Sequence, residues 1–277
     1  MNRISKIYLI ILLKIFQYGI NSFYRSDENS NTGNNYQQMV KMKKIVYAIF
    51  NFLTINFQHE KYKFFKKITF KGIPFFIRPL ILSDVVMTSP AWEPYVQDIF
   101  ILNKNDVVID VGAHIGTYTI PIAIQIEECG KILAFEPNPN NIILLKKNIE
   151  LNELKNITLF ENAASDKNQI TNLILSDDPM LSAITDDTEE KNIEIECITL
   201  DSINEQLELK RIDWLKIDAE GSEIKVLKGS EKILKKFHPK IIVEVRKENE
   251  DVIKKFLCKE GYDIKYLGGE YYFAEKI

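Results

Sequence analysis

Short apolar segments alternate with amphipathic segments from residue 105 to the end of this 277-residue chain. Apolar or alternating runs of four to eight residues, bounded by polar or glycine-containing turns, are typical of β-strands. The segments that fit this description are 106–111, 131–136, 156–161, 170–176, 194–199, 212–218 and 240–245.

Amphipathic segments between the strands predict helices that cover 116–129, 138–151, about 222 onwards and 249–260, with a short helix capped by Asp201. Asn138 can cap the second of them, with Pro139 at its first position. Strands that alternate with helices predict an α/β fold, in which helices cover both faces of a mostly parallel sheet. Gly268-Gly269, between segments 262–267 and 271–275, predicts a closing hairpin that adds one antiparallel strand.

Residues 1–99 differ in composition from the remainder, because they include a short apolar run, a polar linker and a basic stretch rich in aromatic side chains. The uninterrupted apolar run from Ile7 to Leu13 has seven residues, whereas a membrane-spanning helix needs about 20. We expect this stretch to dock on the main domain, with peripheral membrane contact through residues 1–20 as the alternative. The predicted organisation is an amphipathic segment at 1–25, a polar linker at 26–40, an accessory and entry segment at 41–99, and the main domain at 100–277.

Residues 39–65 are basic and rich in aromatic side chains. This combination suits single-stranded nucleic acid, but no RRM or KH signature accompanies it. We therefore favour an aromatic face that packs on the main domain. The stretch from Ile68 to Arg78 then predicts a hairpin or a bent strand with its turn at Gly72 and Pro74.

Charge is distributed unevenly, although the net charge is only −3. Residues 1–80 carry 13 Lys and Arg against 3 Asp and Glu, and residues 81–277 carry 23 against 36. Such asymmetry often marks an arm that binds a partner. The 3 cysteines are widely spaced, which argues against a disulfide framework and favours a reducing, cytoplasmic compartment. HExxH, GxSxG and GxxxxGK[ST] patterns do not occur, which excludes the corresponding hydrolases and nucleotide-binding loops.

Candidate chemistry is concentrated at the ends of the predicted strands, where open parallel sheets bind their ligands. The first strand ends in DVGAHIG, in which Gly112 and Gly116 allow a tight turn and close approach to a ligand. A dinucleotide fingerprint requires GxGxxG, and this loop lacks it. Asp110 beside the loop disfavours a pyrophosphate and favours a ligand with an amino group or a positive charge.

Two further strand ends complete a nucleoside-binding pattern. Glu136 can accept hydrogen bonds from both hydroxyls of a ribose. Asn162 and Ala163, after the third strand, could contact the edge of an adenine ring. A nucleoside with a cationic, amine-bearing tail fits S-adenosylmethionine better than NAD.

Several stretches resemble the FkbM branch of the class I S-adenosylmethionine-dependent methyltransferases. They are VVIDVGAHIGTYTI, AFEPNP, ENAASD, IDWLKIDAEGSEIKVLKG and IIVEV, and the resemblance covers about residues 80–260. It implies a Rossmann-like sheet of seven strands, mostly parallel, with one antiparallel hairpin strand. It also implies S-adenosyl-L-methionine as the cofactor.

The resemblance assigns roles to individual residues. Asp110 and Gly112 would hold the methionine part of the cofactor, with Ala113, His114 and Gly116 lining the loop. His114 stands where the family usually has Asn. Glu136 would bind the ribose, and Asn162 and Ala163 the adenine. Asn138 would be either a cofactor neighbour or a helix cap. Asp218 would face both the cofactor amine and the acceptor.

Acidic residues at the later strand ends are the candidate catalytic groups. Asp218 is the first candidate for the base that deprotonates an acceptor hydroxyl, Glu220 the second, and His238 a weak third. Glu244, at the next strand end, is a low-ranked substrate contact, and otherwise a buried acid that needs a partner. No metal is required for this chemistry, although the acid cluster could bind a divalent cation.

Together these features predict an O-methyltransferase that acts on a hydroxyl of a saccharide or a small molecule. Two alternatives stay open. The first is an RNA methyltransferase that uses the basic N-terminal segment, although DAEG at 218–221 differs from the [ND]PP[YF] motif expected for amine methylation. The second is a non-catalytic nucleoside-binding or membrane-tethered scaffold.

Overall fold

A computed structural model of the chain describes residues 65–89, 92–176, 182–185 and 192–277. The chain divides into two compact units, Met1–Pro94 and Tyr95–Ile277. The predicted N-terminal helix, the polar linker and the basic aromatic stretch up to residue 64 lie outside the described residues. Within the described ranges, no helix is both long enough and apolar enough to span a bilayer.

The described part of the first unit is a hairpin followed by a short helix. Strands β1 (Lys66–Phe70) and β2 (Ile73–Ile77) pair antiparallel, and helix α1 follows at Leu82–Met87. The hairpin predicted from Ile68 to Arg78 is therefore confirmed, but Pro74 lies inside β2 and not in the turn. The turn is formed by Lys71 and Gly72, which both adopt positive φ.

The second unit contains the main sheet. Its elements, in chain order, are α2 (Pro94–Gln97, which begins at the unit boundary), β3 (Val107–Val111), α3 (Thr119–Ile126), β4 (Lys131–Phe135), α4 (Pro139–Leu151), β5 (Ile157–Phe160), β6 (Ala163–Ala164), β7 (Gln169–Ile174), β8 (Ala183–Thr185), β9 (Asn192–Ile198), α5 (Leu200–Leu207), β10 (Trp214–Ile217), α6 (Glu223–Lys228), α7 (Glu231–Phe237), β11 (Lys240–Glu244), a 3₁₀ turn (Lys247–Asn249), α8 (Glu250–Lys259), β12 (Tyr262–Gly268) and β13 (Tyr271–Lys276).

Seven strands form the central sheet in the order β12-β13-β11-β10-β3-β4-β5. Strands β11, β10, β3, β4 and β5 pair in parallel, whereas β13 lies antiparallel between β11 and β12. This is the predicted sheet with one antiparallel hairpin strand. The order reverses at β3 and β10, which are distant in sequence but adjacent in space. Ligand sites of open parallel sheets form at such a reversal.

The segments predicted as strands at 170–176 and 194–199 are not part of the central sheet. They are β7 and β9, which pair antiparallel in a second sheet of order β6-β9-β7-β8. Their burial explains the difference, because one face of β7 from Ile170 to Ile174 is exposed or half-buried while every residue of β10 is buried. A strand with one solvated face is typical of antiparallel pairing.

Local chemistry explains where the helices begin. Helix α4 starts as predicted, because the Asn138 side chain accepts a hydrogen bond from the Asn140 amide and proline occupies the first turn. Helix α3 begins three residues later than predicted, because Gly116 adopts φ +98°. The predicted cap of α5 is wrong: the capping side chain belongs to Thr199.

Asp201 caps a different helix. Its two carboxylate oxygens accept hydrogen bonds from the backbone amides of Lys232 and Ile233, in the first turn of α7. A carboxylate at that place satisfies amides that the helix itself leaves unpaired, and it suits the helix dipole. The acid thus connects α5 to α7.

Two hydrophobic clusters cover the two faces of the central sheet. One contains Leu215 and Ile241 with side chains from α5, α6, α7 and α8, and the other contains Val108 and Trp214 with side chains from α3 and α4. Side chains alternate between the faces along each strand. Both faces are therefore covered, and the strand ends remain as the edge where polar side chains can meet.

Truncation of Ile241, which is 0% exposed in β11, should destabilise the second unit by about 2–5 kcal/mol. The same substitution at Ile170, which is 68% exposed in β7, should change stability by less than about 0.5 kcal/mol. Urea unfolding of Ile241→Ala and Ile170→Ala, followed by circular dichroism, measures both. Equal losses of stability would contradict this assignment of the core.

Candidate cofactor and active site

The carboxyl ends of β3, β4, β10 and β11 meet at one edge of the central sheet. This edge holds four of the acids that the sequence singled out, namely Asp110, Glu136, Asp218 and Glu244. His238, the weaker candidate base, is the exposed C-cap of α7 and precedes β11. It therefore lies at the amino end of the strands, at the opposite edge of the sheet.

The loop after β3 packs directly against the end of β10. A Cβ atom on Gly112 would lie 1.8 Å from the carbonyl oxygen of Asp218, and the residue adopts φ +80°. Both facts require glycine at this position. The amides of Gly112 and Ala113 each donate to the Phe135 carbonyl at 3.0 Å, which fixes the loop against β4 as well.

Glu136 connects this loop to helix α4. Its carboxylate accepts hydrogen bonds from the backbone amides of His114 and Asn138, both at 2.8 Å, and from the Asn141 side chain at 3.3 Å. His114 is buried and adopts φ +50°. Its backbone amide is thus one element that orients the acid predicted to bind a ribose.

The remaining predicted cofactor contacts also have roles within the protein. Asn138 is buried, caps α4 through its oxygen, and donates through its side-chain nitrogen to Ser182 at 3.0 Å. The Asn162 amide donates to Glu196 at 3.2 Å, and Ala163 is buried in β6, where it pairs with β9. These two residues lie where the chain leaves the central sheet for the second sheet.

A buried lysine that sequence inspection did not single out lies between two of the acids. Lys216 is 1% exposed, and its ammonium nitrogen is 3.4 Å from Asp110 Oδ1 and 3.5 Å from Asp218 Oδ2. The other oxygen of Asp110 accepts a 2.6 Å hydrogen bond from Thr119. The signal in the sequence was the K of the WLKI strand, a charged residue in an otherwise apolar run.

Asp218 is surrounded by hydrogen-bond donors. Besides Lys216, the hydroxyl of Tyr271 donates to its Oδ2 at 2.9 Å. Burial opposes ionisation of Asp218, but the charge of Lys216 and hydrogen bonds from Glu244, Tyr271 and Lys216 outweigh it and lower the pKa of the carboxyl. Asp218 therefore stays ionised at neutral pH.

Glu220 has the opposite ionisation behaviour. Burial, with the nearby charge of Asp218, raises the pKa of Glu220 to about 8, although a 2.5 Å ion pair with Arg246 opposes the shift. Glu220 adopts φ +50° in the turn after β10.

Glu223 stabilises that turn, because its carboxylate accepts hydrogen bonds from the Gly221 amide at 2.7 Å and the Ala219 amide at 3.3 Å. Burial raises the pKa of Glu223 too.

The carboxylates of Asp218, Glu220 and Glu244 each place one oxygen within 4.8 Å of the others. This group could hold a metal ion. Tyr271 and Lys216 donate to Asp218, and Arg246 donates to Glu220, so these two carboxylates also act as hydrogen-bond acceptors. Tyr271 and Arg246, like Lys216, were absent from the sequence-based site, because partners far away in the chain give them their place.

The sheet order gives a Rossmann-like fold, in which the glycine loop and the acids at the strand ends lie at the reversal of strand order. The profile of the Methyltransferase FkbM domain matches residues 110–264. The chain therefore belongs to the FkbM methyltransferase family.

Three relatives show how far the similarity extends. Methyltransferase 1 of Beauveria bassiana is 26% identical over 148 residues, which are 44% of this chain and 57% of the relative. The tRNA(Phe) (4-demethylwyosine(37)-C(7)) aminocarboxypropyltransferase of Methanocaldococcus jannaschii is 43% identical over 58 residues, 21% of this chain and 23% of the relative. The crystal structure of a methyltransferase FkbM from Methylobacillus flagellatus KT shares 17% identity with a TM-score of 0.48, and the match covers 66% of this chain and 48% of that one. The chain thus spans little more than half of one curated relative and about a quarter of the other.

Because the pKa of Glu220 is raised in the folded protein, the free energy of unfolding should depend on pH. The folded state binds a proton at Glu220 more tightly than the unfolded chain, whose glutamate pKa is 4.5. This stabilisation is complete below pH 4.5 and is lost as the pH rises through about 8. The free energy of unfolding of the wild type, relative to Glu220→Gln, should therefore fall between pH 5 and pH 9.

Urea unfolding at several pH values measures this difference. Glu205→Gln is the matched control, because Glu205 is exposed and pairs with Lys232 on the surface. Parallel stability curves for the wild type and Glu220→Gln would show that Glu220 does not titrate as described.

Proposed function

We propose that this chain is an S-adenosylmethionine-dependent O-methyltransferase whose acceptor is a hydroxyl of a saccharide or a small molecule. The observation that carries the proposal is the pair Asp218 and Glu220. These neighbouring carboxyls lie at the strand edge and have pKa values shifted in opposite directions. Such divergence is characteristic of sites that carry out acid–base chemistry.

The residues at the edge fit the proposed cofactor. Asp110 Oδ1 is buried and makes no hydrogen bond with the residues described, although Lys216 lies 3.4 Å away. Asp110, Asp218 and Lys216 together carry one net negative charge. A ligand ammonium group would neutralise that charge, so the donor set suits an amino acid tail.

Each part of the cofactor would have its own contacts. Asp110 and Asp218 would bind the amino group, the loop from Gly112 to Gly116 the methionine backbone, and Glu136 the ribose hydroxyls. Asn162 and Ala163 would flank the adenine, and Asn138 would support this wall through its cap on α4. When bound, the cofactor supplies a methyl group on a sulfonium.

Glu220 is the general base in this proposal, and Asp218 orients the acceptor. A hydroxyl is a weak nucleophile until a base removes its proton, and a base with a pKa near the working pH is the most effective. The pKa of about 8 places Glu220 close to that condition. Asp218, held ionised by its donors, is a weak base but a strong hydrogen-bond acceptor. This reverses the order of the two candidates inferred from the sequence.

The charges at the edge favour a neutral acceptor with several hydroxyl groups. Asp218, Glu220 and Glu244 offer hydrogen-bond acceptors, which match hydroxyl donors. An anionic acceptor would be repelled, because the cations Lys216 and Arg246 are already paired with carboxylates of the site. These features support a saccharide or a polyhydroxylated small molecule.

An RNA acceptor is the alternative. The relative from Methanocaldococcus jannaschii is named for its action on a tRNA, and residues 1–80 of this chain carry a net charge of +10. The acids around Asp218 oppose it, since a phosphate backbone is polyanionic. Strongly salt-dependent binding of RNA would favour this alternative, while turnover with any acceptor would exclude a non-catalytic scaffold. The cytoplasmic location and membrane contact expected from the sequence are not needed for either activity.

Asp110→Asn and Glu136→Gln should each weaken binding of S-adenosylmethionine by about tenfold to a hundredfold, because each removes a charged hydrogen-bond acceptor. Isothermal titration calorimetry measures the affinity. Asp263→Asn, a surface substitution in β12, is the matched control and should bind as the wild type does. Unchanged affinity in both site variants would refute the cofactor assignment.

Formation of S-adenosylhomocysteine should rise with pH and level off above about pH 8, as Glu220 ionises. Glu220→Gln should lower turnover by about 10²–10⁴-fold and remove this rise, since it removes the general base. A panel of saccharides, small-molecule alcohols and RNA identifies the acceptor, with Glu205→Gln as the control. Full activity of Glu220→Gln at pH 7 would exclude Glu220 as the base.

A further inference from the structure

Lys216 occupies an unusual place for a lysine. It lies in the middle of the central sheet, on a strand in which every residue is buried, and its side chain is 1% exposed. Ionised lysines are rarely buried to this degree without a partner. Lys216 has two, because its ammonium group lies within 3.5 Å of both Asp110 and Asp218.

Strand register creates this arrangement. Lys216 on β10 pairs with Asp110 on β3, and Asp218 follows Lys216 by two residues, so all three side chains lie on the same face of the sheet. The ring centre of Tyr118 lies 4.9 Å from the ammonium nitrogen. The lysine is too deeply buried to contact an acceptor, and the two acids beside it are a route by which it can influence the site.

Asp110 and Asp218 need a nearby cation if both are to stay ionised. Two buried carboxylates that share one site repel each other, and one of them normally takes up a proton. Protonation of either would remove the charge that an amino group binds. A cation between them removes the repulsion while it leaves one net negative charge for a ligand.

We propose that Lys216 is a positioning residue, whose buried ammonium group keeps Asp110 and Asp218 ionised together so that the pair can bind the amino group of the cofactor. This inference rests on the proposed function. Nothing in it requires Lys216 to touch the cofactor or the acceptor.

Other polar and titratable side chains also contact Asp110 or Asp218. The experiment must separate their effects on the ionisation of these two acids from the effect of Lys216. Thr119 donates to Asp110, and Tyr271 donates to Asp218. Glu244 on β11 also forms a hydrogen bond to Asp218, and Glu220 lies close enough for its charge to interact with Asp218. Of these, Glu220 titrates near pH 8. Glu244 shares its hydrogen bond with Asp218 through a proton, so it can also change the Asp218 signal. The parent protein of the experiment therefore carries both Glu220→Gln and Glu244→Gln.

The first measurement uses the free protein and needs no cofactor. Carbon NMR of chains labelled at the aspartate carboxyl follows Asp110 and Asp218, with assignments from Asp110→Asn and Asp218→Asn. With Lys216 present, both signals should stay at the ionised position from pH 5.5 to 8.5. In Lys216→Met, at least one of the two should titrate within that range, and Lys216→Arg should restore the wild-type behaviour.

The second measurement is the affinity for S-adenosylhomocysteine, which carries the same amino group as the cofactor. Lys216→Met should bind S-adenosylhomocysteine about tenfold more weakly at pH 6 than at pH 8. Below the pKa of the acid that takes up a proton, each pH unit lowers the fraction of its ionised form about tenfold. The parent protein should lack this loss. Lys240→Met is the matched control, because Lys240 also lies over an aromatic ring, 5.1 Å from the Trp214 ring centre, but at the opposite edge of the sheet.

The outcomes separate the two proposals. If Lys216→Met shows no new aspartate titration, or binds with the same pH dependence as the parent, the inference about Lys216 is wrong while the proposed function stands. If the parent does not bind S-adenosylhomocysteine but the carboxyl signals behave as expected, the proposed function fails and the role of Lys216 in ionisation stands. Should Lys216→Met not fold, the signals of the parent protein decide: ionisation of both acids down to pH 5.5 supports the inference, and protonation of either overturns it.

Discussion

The parallel pairing of β3 with β10 is the constraint on which the candidate site depends. It brings together two segments that are distant in sequence and sets Lys216 beside Asp110. Gly112 then allows the loop after β3 to touch the end of β10, where a Cβ atom would collide with the carbonyl of Asp218. The glycine loop, the buried ion pairs and the acid that faces the acceptor are therefore parts of one packed unit.

The surroundings of Asp218 and Glu220, and not their residue types, shift the two pKa values in opposite directions. Asp218 receives hydrogen bonds from Tyr271 and Lys216 and is held as an anion, while Glu220, two residues later, is half-buried near that anion and binds a proton near neutral pH. The proton on Glu220 is thus a consequence first of its removal from water and then of the charge on Asp218. Arg246 limits the shift, because its ion pair favours the ionised form of Glu220.

The sequence predicted those features that depend on local chemistry or on complete burial. The start of α4 follows from Asn138 and Pro139, and the apolar runs gave the strands whose ends hold the acids. It did not predict that β7 and β9 would form a second sheet, because sheet membership depends on long-range pairing. Lys216 escaped notice for the same reason: its partner Asp110 is on another strand, and a lone lysine in a strand usually faces solvent.

Hydrogen bonds within the protein orient the site before any ligand arrives. At Glu136, hydrogen bonds from the amides of His114 and Asn138 and from the Asn141 side chain fix the orientation of the carboxylate. Asp110 is held in the same way by Thr119 and Lys216. Groups that are already ordered lose little conformational freedom on binding, so more of the interaction energy contributes to affinity. The same bonds connect β3, β4, α3 and α4, so the orientation of the site is a result of folding.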